Sequence, residues 1–113
     1  MEYLMFVTVD PTAPPVPDAE RFSIDDWVAE GDARGIRVRG ERLRPPEDAT
    51  SLRLRDGELL VTDGPFAESK EWIAGFDILE CDDLDEAIAY ASKHPMVQTG
   101  ILELRPMWPF EDE

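Results

Sequence analysis

Residues 63–71 read Asp-Gly-Pro-Phe-Ala-Glu-Ser-Lys-Glu and gather titratable groups around a turn. Asp63 and Glu68 have the chemistry of a general base, and Lys70 that of an anion clamp. Burial against Phe66 and Trp72 would raise such a carboxylate's pKa toward neutrality. A plainer reading serves the first three residues as well. Gly64-Pro65 sets the turn, Asp63 bonds its amides, and Phe66 anchors the loop. Turn chemistry accounts less well for Glu68-Ser69-Lys70-Glu71, so both readings stay open.

A second concentration of chemistry is cationic. Arg34, Arg37, Arg39, Arg42, Arg44, Arg53 and Arg55 make up seven of the 11 basic residues and fall within 22 positions. Guanidinium forks hold carboxylates and phosphates in bidentate fashion. Arg53 and Arg55, nearest the Asp63 turn, are the ligand-binding candidates of the set. The alternative is that these arginines line the outward faces of edge strands, where they pair with acids and discourage aggregation. His94, the single histidine, precedes Pro95 and reads as a helix C-terminal residue facing the dipole. Cys81 reads as a small buried apolar group. With no Cys/His cluster and no Gly-rich phosphate loop, neither a metal nor another cofactor is expected.

The elements that must position these residues follow from the hydropathy pattern. Tyr3 to Val9 is apolar and β-branched and stops at Asp10-Pro11, as a strand buried on both faces does. Residues 10–22 are a Pro-rich loop. Ser23 with Asp26 three residues on is a capping-box pattern with Asp in place of Glu or Gln, and Ile24, Trp27 and Val28 form the apolar stripe of the helix it opens. Gly31 weakens that helix and Gly35 ends it. Ile36 to Leu43 predicts a second strand whose phase slips near Gly40.

Ser51 to Arg55 alternates strictly, which predicts Leu52 and Leu54 inward and Arg53 and Arg55 outward. Asp56-Gly57 turns the chain, and Leu59 to Thr62 returns as the hairpin partner. Trp72 to Cys81 is a long strand, with Gly75 a site of close backbone approach. Asp83 and Glu86 cap a second helix whose stripe reads Leu84, Ala87, Ile88 and Ala91, and which ends at His94-Pro95. Ile101 to Arg105 is the last strand.

The order is β-α-β, a hairpin excursion, then β-α-β. It predicts one α+β domain over residues 1–113, a ferredoxin-like split βαβ with two helices on one sheet face. The other face is left without cover, which predicts a homodimer closing sheet on sheet. Trp72, Trp108 and Phe110 are expected to bury aromatic area at that contact.

Bulk properties bound the partners. The 113-residue chain is 42% hydrophobic, enough for a core without disulfides. Its formal net charge of -15 argues against nucleic acid and against anionic lipid surfaces. One cysteine and no basic, apolar leader point to a reducing cytoplasm.

Three stretches together resemble the YCII-related proteins, in particular their DGPF subgroup. They are Gly40-Glu41-Arg42-Leu43-Arg44-Pro45 with Arg53-Leu54-Arg55-Asp56-Gly57; Val61-Thr62-Asp63-Gly64-Pro65-Phe66-Ala67-Glu68-Ser69-Lys70-Glu71 running on to Gly75-Phe76 and Asp82-Asp83-Leu84-Asp85-Glu86-Ala87; and Pro95-Met96-Val97 with Gly100 and Glu103-Leu104-Arg105-Pro106. The resemblance implies a dimeric α+β barrel of ferredoxin-like subunits. Some proteins of this type are lyase-like enzymes with a His-Asp pair, the His near the start of the first helix. This chain has Asp18, Glu20, Asp25 and Asp26 in that region and no histidine.

Two functions are therefore expected. One is a small cofactor-free enzyme or binding protein for an anionic or aromatic molecule, with its cleft at the DGPF loop. The other, implied by similar proteins that accompany extracytoplasmic-function sigma factors, is a regulatory accessory with a protein partner.

Overall fold

In a computed structural model that describes residues 1–65 and 72–112, the N-terminal apolar run is the central strand β1 (Glu2–Val9). The Pro-rich loop leads to α1 (Ile24–Ala33), β2 (Arg37–Arg42), and a hairpin of β3 (Thr50–Arg55) and β4 (Glu58–Asp63). There follow β5 (Trp72–Glu80), α2 (Leu84–Ala91), the short α3 (Met96–Thr99) and β6 (Gly100–Pro106). The four-stranded sheet has the order β2-β5-β1-β6, antiparallel throughout. This is the ferredoxin-like α+β layout expected from the sequence.

Local chemistry explains the boundaries. Ser23 accepts a hydrogen bond from the Asp26 amide at 3.1 Å, and Asp83 accepts one from the Glu86 amide at 2.8 Å. Each satisfies an amide that the first helical turn leaves without an internal partner. Glu86 in turn accepts from the Asp82 amide at 3.0 Å. At the hairpin tip, Asp56 and Gly57 take φ of 53° and 78°, the two left-handed residues of a type I′ turn.

The core lies between the sheet and the helices. Tyr3, Met5 and Val7 of β1 and Leu79 of β5 meet Trp27 of α1 and Ala87, Tyr90 and Ala91 of α2. Trp27 and Tyr90 stack with ring centroids 4.3 Å apart. The Trp27 indole donates to the Tyr90 carbonyl at 2.9 Å, and the Tyr90 hydroxyl donates to the Trp27 carbonyl at 2.6 Å. Two buried polar groups thus satisfy each other while their rings pack.

Several expectations need correction. The stripe of α2 is rotated: Tyr90 is buried, whereas Leu84 and Ile88 remain about half exposed. The large Tyr90 ring, with its hydroxyl tied to α1, sets which side of the helix turns inward. The irregularity in β2 lies between Arg37 and Arg39, just before Gly40. Past His94-Pro95 the chain makes one more helical turn, α3. The largest difference is the hairpin. It forms a separate two-stranded sheet, and Leu52 and Leu54 are 63% and 62% exposed instead of facing inward. Alternation gives the hairpin two distinct faces, but neither has a described layer over it.

Candidate functional site

Asp77 breaks the apolar run of β5 at a buried position, in phase with Gly75 and Leu79. The residue is 7% exposed, and its carboxylate accepts from the Arg37 Nε at 2.9 Å. Arg37 also approaches the Gly40 carbonyl, through Nη2 at 3.4 Å, and Asp32, at 3.7 Å. Burial raises the Asp77 pKa above the usual carboxylate value, and the bond and charge of Arg37 offset only part of that. Gly40 lies opposite Asp77 in the β2–β5 register, and a Cβ there would overlap the carboxylate oxygen.

Beside this pair a cavity of about 540 Å³ opens between α1, the β2–β5 strands and the turn into α3. Its apolar wall includes Val7, Ile24, Trp27, Val28 and Met96, and its polar groups are Arg37, Glu41, Arg42, Asp77 and His94. Gly75 forms part of the lining, and a Cβ there would come within 2.8 Å of the Glu41 carbonyl. Gly40 opposite Asp77 and Gly75 opposite Arg42 each leave room that a side chain would fill.

His94 is 5% exposed and meets Trp27 edge-on at 4.7 Å. Its Nδ1 accepts from the Met96 amide at 3.0 Å, which assigns the proton of the neutral ring to Nε2. Burial pushes its pKa down to about 4, so the imidazole is neutral at physiological pH. This corrects the expectation of a helix C-terminal residue facing the dipole: the side chain turns inward and bonds the Met96 amide at the start of α3.

The arginines divide by partner. Arg34 pairs with Glu30, Arg37 with Asp77, Arg39 with Glu41 and Arg44 with Asp48. Among the described residues Arg42 has no carboxylate at ion-pair distance. It lies opposite Gly75 in the register, and therefore on the cavity side of the sheet. Arg53 and Arg55 are exposed on β3, Arg55 donating to the Leu54 carbonyl at 2.9 Å, and they line neither this cavity nor the groove described next.

Asp63 ends β4, exposed and paired in register with Thr50. The turn after it is tied back by the Gly64 amide donating to the Ala49 carbonyl at 2.7 Å, and by the Ser51 hydroxyl donating to the Gly64 carbonyl at 2.8 Å. A groove of about 700 Å³ runs past Pro65 and Trp72, bordered by Leu43, Arg44, Pro46, Ile73 and Glu103. Phe66, Glu68 and Lys70 lie outside the described residues. Cys81 is buried as expected, and burial raises its thiol pKa.

Sequence reasoning did not single out Asp77 or the cavity. A usable signal was present: a charge on the buried phase of β5, flanked two residues earlier by glycine.

The sheet order and one-sided helices define an α+β protein of the ferredoxin-like class with a cavity on the helix-covered face. A family model described as the YCII-related domain matches residues 1–111, and the chain belongs to that family. It is also similar to an uncharacterised protein of Rhizobium meliloti (strain 1021), at 44% identity over 68 residues. That match takes in 58% of this chain and 55% of the relative, so the shared part spans about half of the relative's length. No helix among the described residues is long and apolar enough to cross a membrane.

Proposed function

We propose that this YCII-related chain binds a small molecule in the helix-face cavity and supports cofactor-free, lyase- or isomerase-like proton-transfer chemistry on it. One observation carries the reading. An apolar cavity of about 540 Å³ is lined by a fixed Arg37–Asp77 pair and by a buried, neutral His94. A concave, mostly apolar wall with a few converging polar groups is the usual form of a small-molecule site. His94 Nε2–H supplies a donor for a carbonyl oxygen that gains charge, and Asp77 supplies a carboxylate of raised pKa.

A second site is supported by the groove beside Pro65. At the turn beside it Asp63, outside the groove's own lining, would act as acid/base, with Glu68, Lys70, Phe66 and the Arg53/Arg55 pair as its neighbours in the chain. The DGPF-subgroup resemblance favours this turn. A thermal-shift screen against small anionic and aromatic metabolites separates the two sites, since a ligand at about 100 times Kd stabilises by roughly 2.7 kcal/mol. A hit lost in Val28→Phe, which fills the cavity, and kept in Asp63→Asn supports the helix-face site. The reverse pattern supports the turn, and a broad library with no hit refutes both.

The functional unit in this reading is a homodimer. Leu4, Phe6, Phe76 and Ile78 are partly exposed on the face away from the helices, with Ile73 and Ile101 more so. A monomer in sedimentation at micromolar concentration would refute it. The regulatory-accessory reading draws on the exposed apolar hairpin. A basic protein partner recovered from native lysate at low salt and lost on Leu52→Ser would favour it.

A further inference from the structure

The polar groups of the helix-face cavity are not equivalent in charge. Arg37 is compensated by Asp77 at 2.9 Å and faces Asp32 at 3.7 Å. Glu41 is engaged by Arg39 at 3.6 Å. His94 is neutral, with its Nδ1 already bonded. Arg42 is left as the one cavity cation without a carboxylate partner among the described residues, in a chain of net charge -15.

Its placement fits an anchoring role. Arg42 is exposed at the cavity rim, whereas Trp27 and His94 are buried deeper. The strand register turns its side chain to the same side as Gly75, where there is no side chain to obstruct it. Between rim and depth the walls are Val28, Ile24 and Met96. A ligand following this gradient carries one anionic group at its outer end and an apolar body inside.

The ligand charge follows from the same count. A dianionic phosphate is held by several converging donors, and among the described residues only one uncompensated cation lines the cavity. A cation at the rim would meet Arg42 directly. We infer that the cavity selects small monocarboxylates with an apolar, ring-sized body, anchored by Arg42 at the rim and packed against Trp27, Val28 and Met96. This rests on the helix-face reading and adds to it the ligand class and the residue that sets it.

The test compares phenylacetate with its neutral isostere phenylacetamide on the full chain, by calorimetry and by NMR of the Trp27 indole and Met96 methyl. Phenylacetate is expected to bind at least about tenfold more tightly, the scale of one charge-assisted contact. Arg42→Gln is expected to abolish that preference while leaving the weaker amide affinity intact. Arg42 is exposed and has no ion-pair partner among the described residues, so the variant should fold normally. Equal binding of the two compounds in the cavity of the unaltered protein overturns carboxylate selection and leaves the small-molecule reading standing. A preference that persists in Arg42→Gln overturns the role of Arg42. Failure of both compounds to perturb Trp27 or Met96 at millimolar concentration overturns the cavity reading together with this inference.

Discussion

The helix-covered face of the sheet and the β3–β4 hairpin carry similar residue types with opposite consequences. On the helix-covered face, Arg37 and Asp77 are held within a packed layer, and Trp27 is satisfied by Tyr90. On the hairpin, Arg53 and Arg55 alternate with Leu52 and Leu54, and all four are exposed. The same chemistry is preorganised in one place and solvated in the other. A polar group in a packed layer has a direction fixed by its neighbours, whereas an exposed one is free to reorient in water. The regions should therefore answer mutation very differently.

The largest difference is expected at Trp27. Trp27→Ala removes a buried ring, its stack with Tyr90 and the bond to the Tyr90 carbonyl. It should cost about 3–5 kcal/mol in urea unfolding. A loss below about 1 kcal/mol would mean that the helix layer packs no better than the hairpin.

His94 gives a prediction in pH. Its folded pKa of about 4 lies below the unfolded value of about 6.5, so between these limits the unfolded chain binds the extra proton. Stability should therefore fall as pH drops from about 6.5 to about 4 and then level off. The His94 contribution to that fall is roughly 3 kcal/mol. Asp77 acts in the opposite sense. Its raised pKa means that its contribution is present at low pH and lost as pH rises through the folded value. The difference between the native protein and His94→Gln isolates the histidine, and a difference constant from pH 7 to 4 would show that the imidazole is not held neutral.

Asp77 sharpens the comparison further. Asp77→Ala leaves Arg37 without its closest acceptor in a half-buried position and should cost about 2–3 kcal/mol. Asp77→Asn keeps an oxygen for Arg37 Nε and removes the desolvation of a charge, so it should stay within about 1 kcal/mol of the native protein. Equal losses in the two variants would assign the stability to the ionic charge instead of the hydrogen bond.

How far the sequence disclosed this architecture follows the same division. Element order and helix caps were legible because they depend on local signals: Ser23 and Asp83 before their helices, Asp56-Gly57 at the hairpin tip. The rotation of α2 was not, because Leu84 and Ile88 are as apolar as Ala87 and Ala91, and only Tyr90 meeting Trp27 across the core decides between them. The cavity was not legible either. Gly40 and Gly75 come from separate strands, and neither shows in the sequence that it clears space beside Asp77. Gly31 is a related case. It reads as a weak point in α1, yet a Cβ there would overlap the Tyr90 hydroxyl. The DGPF segment drew attention because its polar residues are contiguous in the chain, whereas the cavity's polar residues are brought together only by the fold.

The smallest effect is expected on the hairpin, and it tests the comparison most directly. Cross-strand register places Leu52 opposite Val61 and Leu54 opposite Leu59, so one hairpin face is apolar toward its tip, with the Thr50–Asp63 pair at its base. Each of these residues is 58–63% exposed, and exposed apolar groups removed from packing contribute little. If the hairpin is solvated in solution, Leu54→Ser and Leu59→Ser should each change stability by less than about 0.5 kcal/mol, independent of protein concentration. A contiguous exposed apolar strip is also the usual mark of a contact surface. If a second copy covers this face, the same substitutions will cost more than 1 kcal/mol, and the loss will grow as the protein is concentrated, because association adds to apparent stability by mass action. That outcome would make the hairpin a packed region completed by a neighbour, and its contrast with the helix face would then be one of assembly instead of chemistry.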